Sequence, residues 1–111
     1  MKIKKKNRKF IVKAGITLTH KADIHLKSNE QITLKEKKKE IDIVKKQWGY
    51  YLTPSTNKRL IRFNLITAII KNTKTKNLFV FVIDKNKMSY FERYAKKEKL
   101  KVVKWLHEKF K

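Results

Sequence analysis

With 111 residues, the chain has the size of one small domain, and its 41% apolar content suffices for one hydrophobic core. The absence of cysteine excludes disulfides, thiolate catalysis and thiolate zinc sites, and agrees with a reducing compartment. A formal net charge of +22, from 31 Lys and Arg residues against 9 Asp and Glu, predicts attraction to polyanions, although abundant lysine is also typical of AT-rich genomes.

The apolar runs of the sequence are too short to cross a membrane as helices. Leu65 to Ile70 and Leu78 to Ile83 fall far below the roughly 20 residues that a transmembrane helix needs. Near the N-terminus, Lys13 and Gly15 interrupt the apolar stretch that a signal peptide requires. We therefore expect a cytoplasmic protein without a transmembrane segment.

The first nine residues, MKIKKKNRK, carry few side chains that can enter a core. We predict a flexible basic arm over residues 1–9, followed by a single β-rich domain over residues 10–111. An arm of this kind binds phosphate groups through charge alone. The predicted polyanion-binding residues are Lys4, Lys5, Lys6, Arg8 and Lys9.

Short β-strands are predicted for the first half of the chain. Apolar residues recur at a spacing of two, which is the period of a strand with one buried face. The breaks between them, at Gly15, at Ser28 and Asn29, and over Glu36 to Lys39, have the composition of turns. The apolar pairs are Ile16 and Leu18, Ile24 and Leu26, Ile32 and Leu34, and Ile41 and Ile43.

Three further strands are predicted beyond residue 47. Gly49 and Pro54 limit the first of them to Tyr50–Thr53, with a loop from Pro54 to Lys58. Leu60 to Asn72 and Leu78 to Asp84 are strongly apolar and are expected at the centre of the sheet, joined by a hairpin turn.

The period changes to that of a helix after Asp84. Met88, Phe91 and Ala95 lie on one helical face, and Ser89 with Glu92 suggests a capping box. Leu100 to about Trp105 fits a closing strand, with a helix as the alternative. The predicted fold class is α+β, a small antiparallel, meander-like β-sheet with one amphipathic helix near the C-terminus; an all-β fold with a terminal helix is the alternative.

No catalytic or metal-binding motif is found. His20, Asp23 and His25 lie close in sequence, but a strand places 23 and 25 on one face and 20 on the other, so we expect surface histidines. The carboxylates are scattered, and the sequence has neither a glycine-rich phosphate loop nor a serine nucleophile elbow. We predict no catalytic residues, no metal site and no cofactor.

The segment QWGYYLTPSTNKRLIR, residues 47–62, combines aromatic, hydroxyl and basic side chains. Aromatic rings stack on bases or sugars, and arginine binds phosphate. The alternative is that Trp48, Tyr50 and Leu52 pack inward from a strand while Arg59 pairs with a carboxylate. The candidate ligand-binding residues are Trp48, Tyr51, Thr53, Ser55, Asn57, Arg59 and Arg62.

From Trp48 onward, the sequence resembles small uncharacterised proteins encoded beside bacterial surface-polysaccharide biosynthesis genes. The resemblance lies in WGYYLTPSTNKRL, residues 48–60, followed by two apolar strands and a short helix with an aromatic face. It covers roughly the last two thirds of the chain. It implies a polysaccharide context and a role as an accessory or binding protein, and it carries no catalytic residues.

Two binding functions therefore remain open at the level of sequence, beside a third class, an unrecognised enzyme, which would need a cleft that assembles residues such as His20, Asp23 and His25. The first is a non-catalytic accessory or binding protein in surface-polysaccharide biosynthesis, whose partner is a phosphorylated sugar or a biosynthetic enzyme. The second is a nucleic-acid-binding module that uses its lysine-rich surface, with binding that weakens steeply with salt.

Overall fold

The computed structural model describes residues 1–13 and 16–108, so the predicted break at Gly15 lies outside the described residues. In these ranges the chain forms eight strands and two α-helices, which confirms the α+β class. No helix in them is long and apolar enough to cross a membrane. The strands are β1 (Lys2–Lys13), β2 (Ile16–His25), β3 (Gln31–Glu36), β4 (Lys39–Lys46), β5 (Gly49–Thr53), β6 (Leu65–Asn72), β7 (Leu78–Asp84) and β8 (Leu100–Trp105), and the helices are α1 (Arg59–Arg62) and α2 (Met88–Lys97).

The strands form three sheets rather than one. β1 and β2 make a two-stranded antiparallel ribbon, β3, β4 and β5 follow one another as in a meander, and the third sheet has the order β7-β6-β8. The chain divides into two compact units. The first unit comprises Met1–Ile32 and Val44–Tyr51, and the second unit comprises Thr33–Ile43 and Leu52–Lys111.

Backbone and terminal contacts tie the first unit together beyond its ribbon. The amide of Asn29 donates to the carbonyl of Lys45 at 2.9 Å, and the amide of Lys45 donates to the carbonyl of Glu30 at 2.9 Å. The N-terminal ammonium of Met1 lies 3.1 Å from the Glu30 carboxylate. The hydrogen bond from the Lys27 amide, followed by that from the terminal ammonium, lowers the pKa of Glu30 below its usual value.

The second unit has its hydrophobic core on β6. Ile66, Ala68 and Ile70 are buried on this strand together with Ile83 of β7. Phe91 of α2 packs against the same cluster, as its position on the predicted apolar face requires. β6 is hydrogen-bonded on both sides, and β7 is an edge strand, so only the first of the two apolar strands lies at a sheet centre.

Two local predictions in the second unit are wrong. The strand expected from Leu60 begins only at Leu65, because α1 and a turn precede it, with Asn64 in the left-handed region at φ 61°. The capping box at Ser89 is absent from the start of α2. Instead, the Asp84 carboxylate accepts a hydrogen bond from the Asn86 amide at 3.0 Å and caps a 3₁₀ turn that leads into the helix.

Candidate functional site

The five predicted polyanion-binding residues all lie on β1. Residues 2–9, expected as an irregular arm, run as a strand that pairs with β2 from Lys2 opposite His25 to Lys9 opposite Thr19. Their local pattern did not predict a strand because lysine dominates it; the pairing partners lie 10 to 23 residues further along the chain. The strand distributes the side chains of Lys4, Lys5, Lys6, Arg8 and Lys9 along its length, and all five are exposed.

The register divides the ribbon into two different faces, because directly opposed residues of an antiparallel pair point to the same side. Between the pairs Lys5–Ala22 and Arg8–His20, β1 has one residue more than β2, which is a β-bulge. Because of this extra residue, Lys5 and Arg8 point to the same face although they are three positions apart. One face carries the pairs Ile3 and Ile24, Lys5 and Ala22, Arg8 and His20, and Phe10 and Leu18. The other, here called the basic face, carries Lys2 and His25, Lys4 and Asp23, and Lys9 and Thr19, with Lys21 at the same parity on β2.

Little negative charge compensates the ribbon. Residues 1–25 contain eight of the 31 Lys and Arg residues and a single carboxylate, Asp23. Asp23 lies 3.7 Å from the Lys6 ammonium and 2.9 Å from Nε2 of His20, so one acidic group is shared between two basic ones. Lys21 donates to the side-chain oxygen of Asn7, a neutral partner, at 3.4 Å. The ribbon therefore presents a concentrated positive surface.

The three residues considered for metal binding form a pair and a separate histidine. His20 reaches Asp23 along β2, while His25 lies at the end of the strand opposite Lys2. The described part of the chain has no group of three or more His, Cys, Asp or Glu side chains that could hold a metal ion.

The aromatic residues of the 47–62 segment do not pack inward. Trp48, in the turn between β4 and β5, is 73% exposed, and Tyr50 and Leu52 are exposed as well. The inward-packing alternative is therefore wrong. The rings of Trp48 and Tyr51 are nearly parallel, with centroids 6.2 Å apart and an interplanar angle of 17°. The Lys45 ammonium lies 5.2 Å from the ring centroid of Tyr50.

Among the candidate ligand-binding residues of this segment, Trp48 and Tyr51 belong to the first unit, and the others belong to the second unit. Ser55 uses its carbonyl to accept from the Leu60 amide at 3.1 Å, which closes the loop before α1. Thr53, Asn57, Arg59 and Arg62 complete the set, and all but the half-buried Thr53 are exposed. Within residues 1–13 and 16–108, no carboxylate forms an ion pair with Arg59. The pairing that the alternative interpretation assumed for Arg59 is therefore not found there.

A cavity of about 310 Å³ lies in the second unit, between β4 and the sheet of β6 and β7. Its lining includes Leu65, Val82 and the Lys39 side chain. The Lys39 ammonium is already engaged, since it lies 2.9 Å from the Phe63 carbonyl and 3.2 Å from the Asp84 carboxylate. Burial raises the pKa of Asp84, but the Asn86 amide and Lys39 outweigh it and leave the pKa below its usual value. The charges of Lys39 and Asp84 therefore neutralise each other and stabilise the fold.

The sequence prediction missed three basic residues of the first unit: Lys21 on the ribbon, and Lys45 and Lys46 beside the aromatic turn. Lys21 lies two and four residues before Asp23 and His25, so the strand period of two could have placed all three on one face of β2. No family model matches this sequence, and no curated protein and no solved structure is significantly similar to it.

Proposed function

We propose that this protein is a non-catalytic nucleic-acid-binding protein that contacts phosphates through the β1–β2 ribbon. The observation that supports the proposal is the series of exposed lysines on the basic face of β1, joined by the exposed Lys21 of β2. An extended strand spaces its side chains regularly, and only Asp23 offsets their charge within residues 1–25. We propose a cytoplasmic location as part of this function.

The length of the ribbon favours a polymer over a small ligand. Twelve residues of β1 extend about 40 Å at about 3.3 Å per residue. A turn of B-DNA is about 34 Å long and carries one phosphate charge about every 1.7 Å of axis. A single sugar phosphate neutralises only one or two of these lysines, whereas a nucleic-acid backbone offers a partner to each of them.

The side chains of the basic face favour binding without sequence readout. Lysine is a flexible point charge that follows phosphate positions, whereas base recognition uses the fixed fork of arginine or amide side chains. The basic face carries Lys2, Lys4, Lys9 and Lys21, and the one arginine of the ribbon, Arg8, lies on the other face with its guanidinium 5.5 Å from the Phe10 ring. We therefore expect similar affinity for unrelated sequences.

Replacement of the basic face tests the proposal. Binding of labelled oligonucleotides is measured by fluorescence anisotropy from low to near-physiological salt. In a plot of log affinity against log salt concentration, the negative slope should become shallower by about 0.9 for each phosphate contact removed on duplex DNA, and by about 0.7 on a single strand. The variant carries Lys2→Gln, Lys4→Gln, Lys9→Gln and Lys21→Gln.

A second variant with the same loss of charge is the control. It removes four exposed lysines from the second unit, so a general effect of net charge lowers its affinity by the same amount. The proposal requires the ribbon variant to lose far more affinity and slope than the control; equal losses would contradict it. The control carries Lys74→Gln, Lys85→Gln, Lys96→Gln and Lys97→Gln.

A second candidate function is an accessory role in surface-polysaccharide biosynthesis, which the resemblance over residues 48–60 suggests. The exposure of Arg59 and Arg62 in the second unit favours it, because arginine binds phosphate groups such as those of a nucleotide-sugar. This candidate predicts salt-tolerant binding of a nucleotide-sugar, measured by calorimetry, that Arg59→Ala and Arg62→Ala weaken. Retention of that binding in both variants would exclude the proposed loop site.

A further inference from the structure

Two large aromatic side chains of the first unit lie open to solvent in a parallel arrangement. Trp48 is 73% exposed and Tyr51 is 42% exposed. Exposed aromatic surface of this size gives up the stabilisation that burial provides, about 25 cal/mol for each Å². The interplanar angle of 17° leaves a flat indole face that a third planar ring can extend as a stack.

A glycine with an unusual backbone conformation follows Trp48 in the turn. Trp48 occupies the short connection between β4 and β5, and Gly49 follows it with φ 146°, a conformation that L side chains rarely adopt. Apart from Gly49 itself and its neighbours Trp48 and Tyr50, no heavy atom lies within 4 Å of the place where a side chain on Gly49 would begin. The glycine is therefore required by the backbone path of the hairpin and not by a lack of space.

The first unit, which contains the aromatic pair, is rich in lysine. Lys45 and Lys46 immediately precede the turn, and the Lys45 ammonium lies 5.2 Å from the ring centroid of Tyr50, the residue before Tyr51. The Lys46 ammonium lies 2.7 Å from the side-chain oxygen of Asn29, a neutral group, so its charge is not compensated there. An exposed aromatic pair in a unit that is rich in lysine matches a nucleotide, which presents a planar base and an anionic phosphate together.

We propose that the Trp48 face is a stacking platform for an unpaired nucleobase, so that the preferred ligand of the first unit is single-stranded nucleic acid. The inference rests on the proposed function, because the phosphates are assigned to the basic face of the same unit. A base inside a duplex has both faces covered by its neighbours and cannot stack on Trp48. An unpaired base has a free face, and every base offers one, so stacking adds affinity without sequence preference.

The test compares an oligothymidylate with an abasic oligomer of the same length, which has the same phosphates but no bases. Trp48→Ala should lower affinity for oligothymidylate about 5- to 150-fold, the range expected for one base–aromatic stack, and Tyr51→Ala should lower it less. Affinity for the abasic oligomer and the salt slope should stay unchanged, because the phosphate contacts remain. Trp48→Phe should recover part of the loss, since it keeps a stacking ring.

Tyr90→Ala is the matched control. Tyr90 is 66% exposed on α2 of the second unit, and the Arg93 guanidinium lies over its ring at 5.0 Å, so it resembles the platform in exposure and charge. Thermal unfolding establishes that each variant is folded.

Equal affinity of the wild-type protein for the two oligomers, or equal losses in the Trp48 and Tyr90 variants, would overturn the platform. Salt-dependent binding through the ribbon would then still support the proposed function. Absence of oligonucleotide binding by the wild-type protein at any salt concentration would overturn both.

Discussion

At the scale of single residues, Lys39 and Asp84 form a charged pair of the second unit that has further hydrogen-bond partners. Asp84 accepts from both Lys39 and the Asn86 amide, and Lys39 also donates to the Phe63 carbonyl. The side chains are 24% and 19% exposed, so water screens the pair less than a surface ion pair. This pair links β4 to the start of the 3₁₀ turn.

The pH dependence of stability follows from this pair. The folded pKa of Asp84 lies below its usual 3.8, so the carboxylate contributes stability above pH 3.8 and loses it as the pH falls through the folded pKa. Asp84→Asn should be less stable than the wild-type protein near neutral pH, and the difference should shrink below about pH 4. Urea unfolding at several pH values measures it, with Glu92→Gln as the control. A difference that stays constant with pH would contradict the assignment.

Gly49 is the second residue with a defined conformational role. At φ 146°, a residue with a Cβ atom is strained, although the space around it is open. We expect Gly49→Ala to destabilise the protein by about 1 to 3 kcal/mol, measured by urea unfolding. Gln47→Ala in the same turn removes a side chain without requiring an unusual backbone and should cost less than about 0.5 kcal/mol. Similar costs for the two variants would show that backbone strain is not the cause.

At the scale of elements, the central strand β6 contains a polar group that the core does not satisfy. Thr67 is 1% exposed, and its hydroxyl oxygen has no hydrogen-bond partner among the described residues. Its backbone carbonyl is paired, since it accepts from the Leu106 amide at 2.8 Å. An unsatisfied buried hydroxyl costs about 1 to 3 kcal/mol, so its removal should stabilise the strand.

Thr67→Val should therefore raise the free energy of unfolding by about 1 kcal/mol, because valine has the same shape and no hydroxyl. Thr33→Val is the opposite control, since the Thr33 hydroxyl donates to the Asp42 carboxylate and its loss should be neutral or destabilising. Thermal and urea unfolding measure both. Destabilisation by Thr67→Val would mean that the hydroxyl has a partner in solution.

The elements also show how far the sequence pattern reached. Three predicted elements are confirmed, because each has an apolar face of the matching period. They are the strands at Leu78–Asp84 and Leu100 to about Trp105, and the helix after Asp84. Leu60 was assigned to a strand because it is apolar, and its helical turn is set by tertiary burial. The strand character of residues 2–9 comes from pairing with β2, which a local pattern of lysines does not contain.

The candidate site was predictable in composition and not in arrangement. The sequence identified the five cations of residues 4–9 and the aromatic residues at 48 and 51, which remain the candidates. It did not predict that Trp48 would be exposed, since aromatics at strand spacing usually pack inward. It also placed these aromatics in one set with Arg59 and Arg62, whereas the structure assigns the two groups to different compact units.

At the scale of the whole molecule, the net charge of +22 is unevenly compensated. Asp84 and Lys39 neutralise each other in the second unit, whereas Asp23 is the only acidic residue in the first 25. A general lysine bias predicts diffuse attraction over the entire surface. If the ribbon is the binding site, contacts with nucleic acid concentrate on β1 and β2. The location of these contacts therefore distinguishes the proposed function from a general lysine bias.

The measurement that tests this claim most directly is an NMR titration of the backbone amides with a single-stranded oligonucleotide at near-physiological salt. We expect the shifts to saturate and to concentrate at β1, β2 and the turn at Trp48. Shifts spread over α2 and the other lysine-rich surfaces, or their disappearance at that salt concentration, would contradict it and leave the charge without a specific binding role.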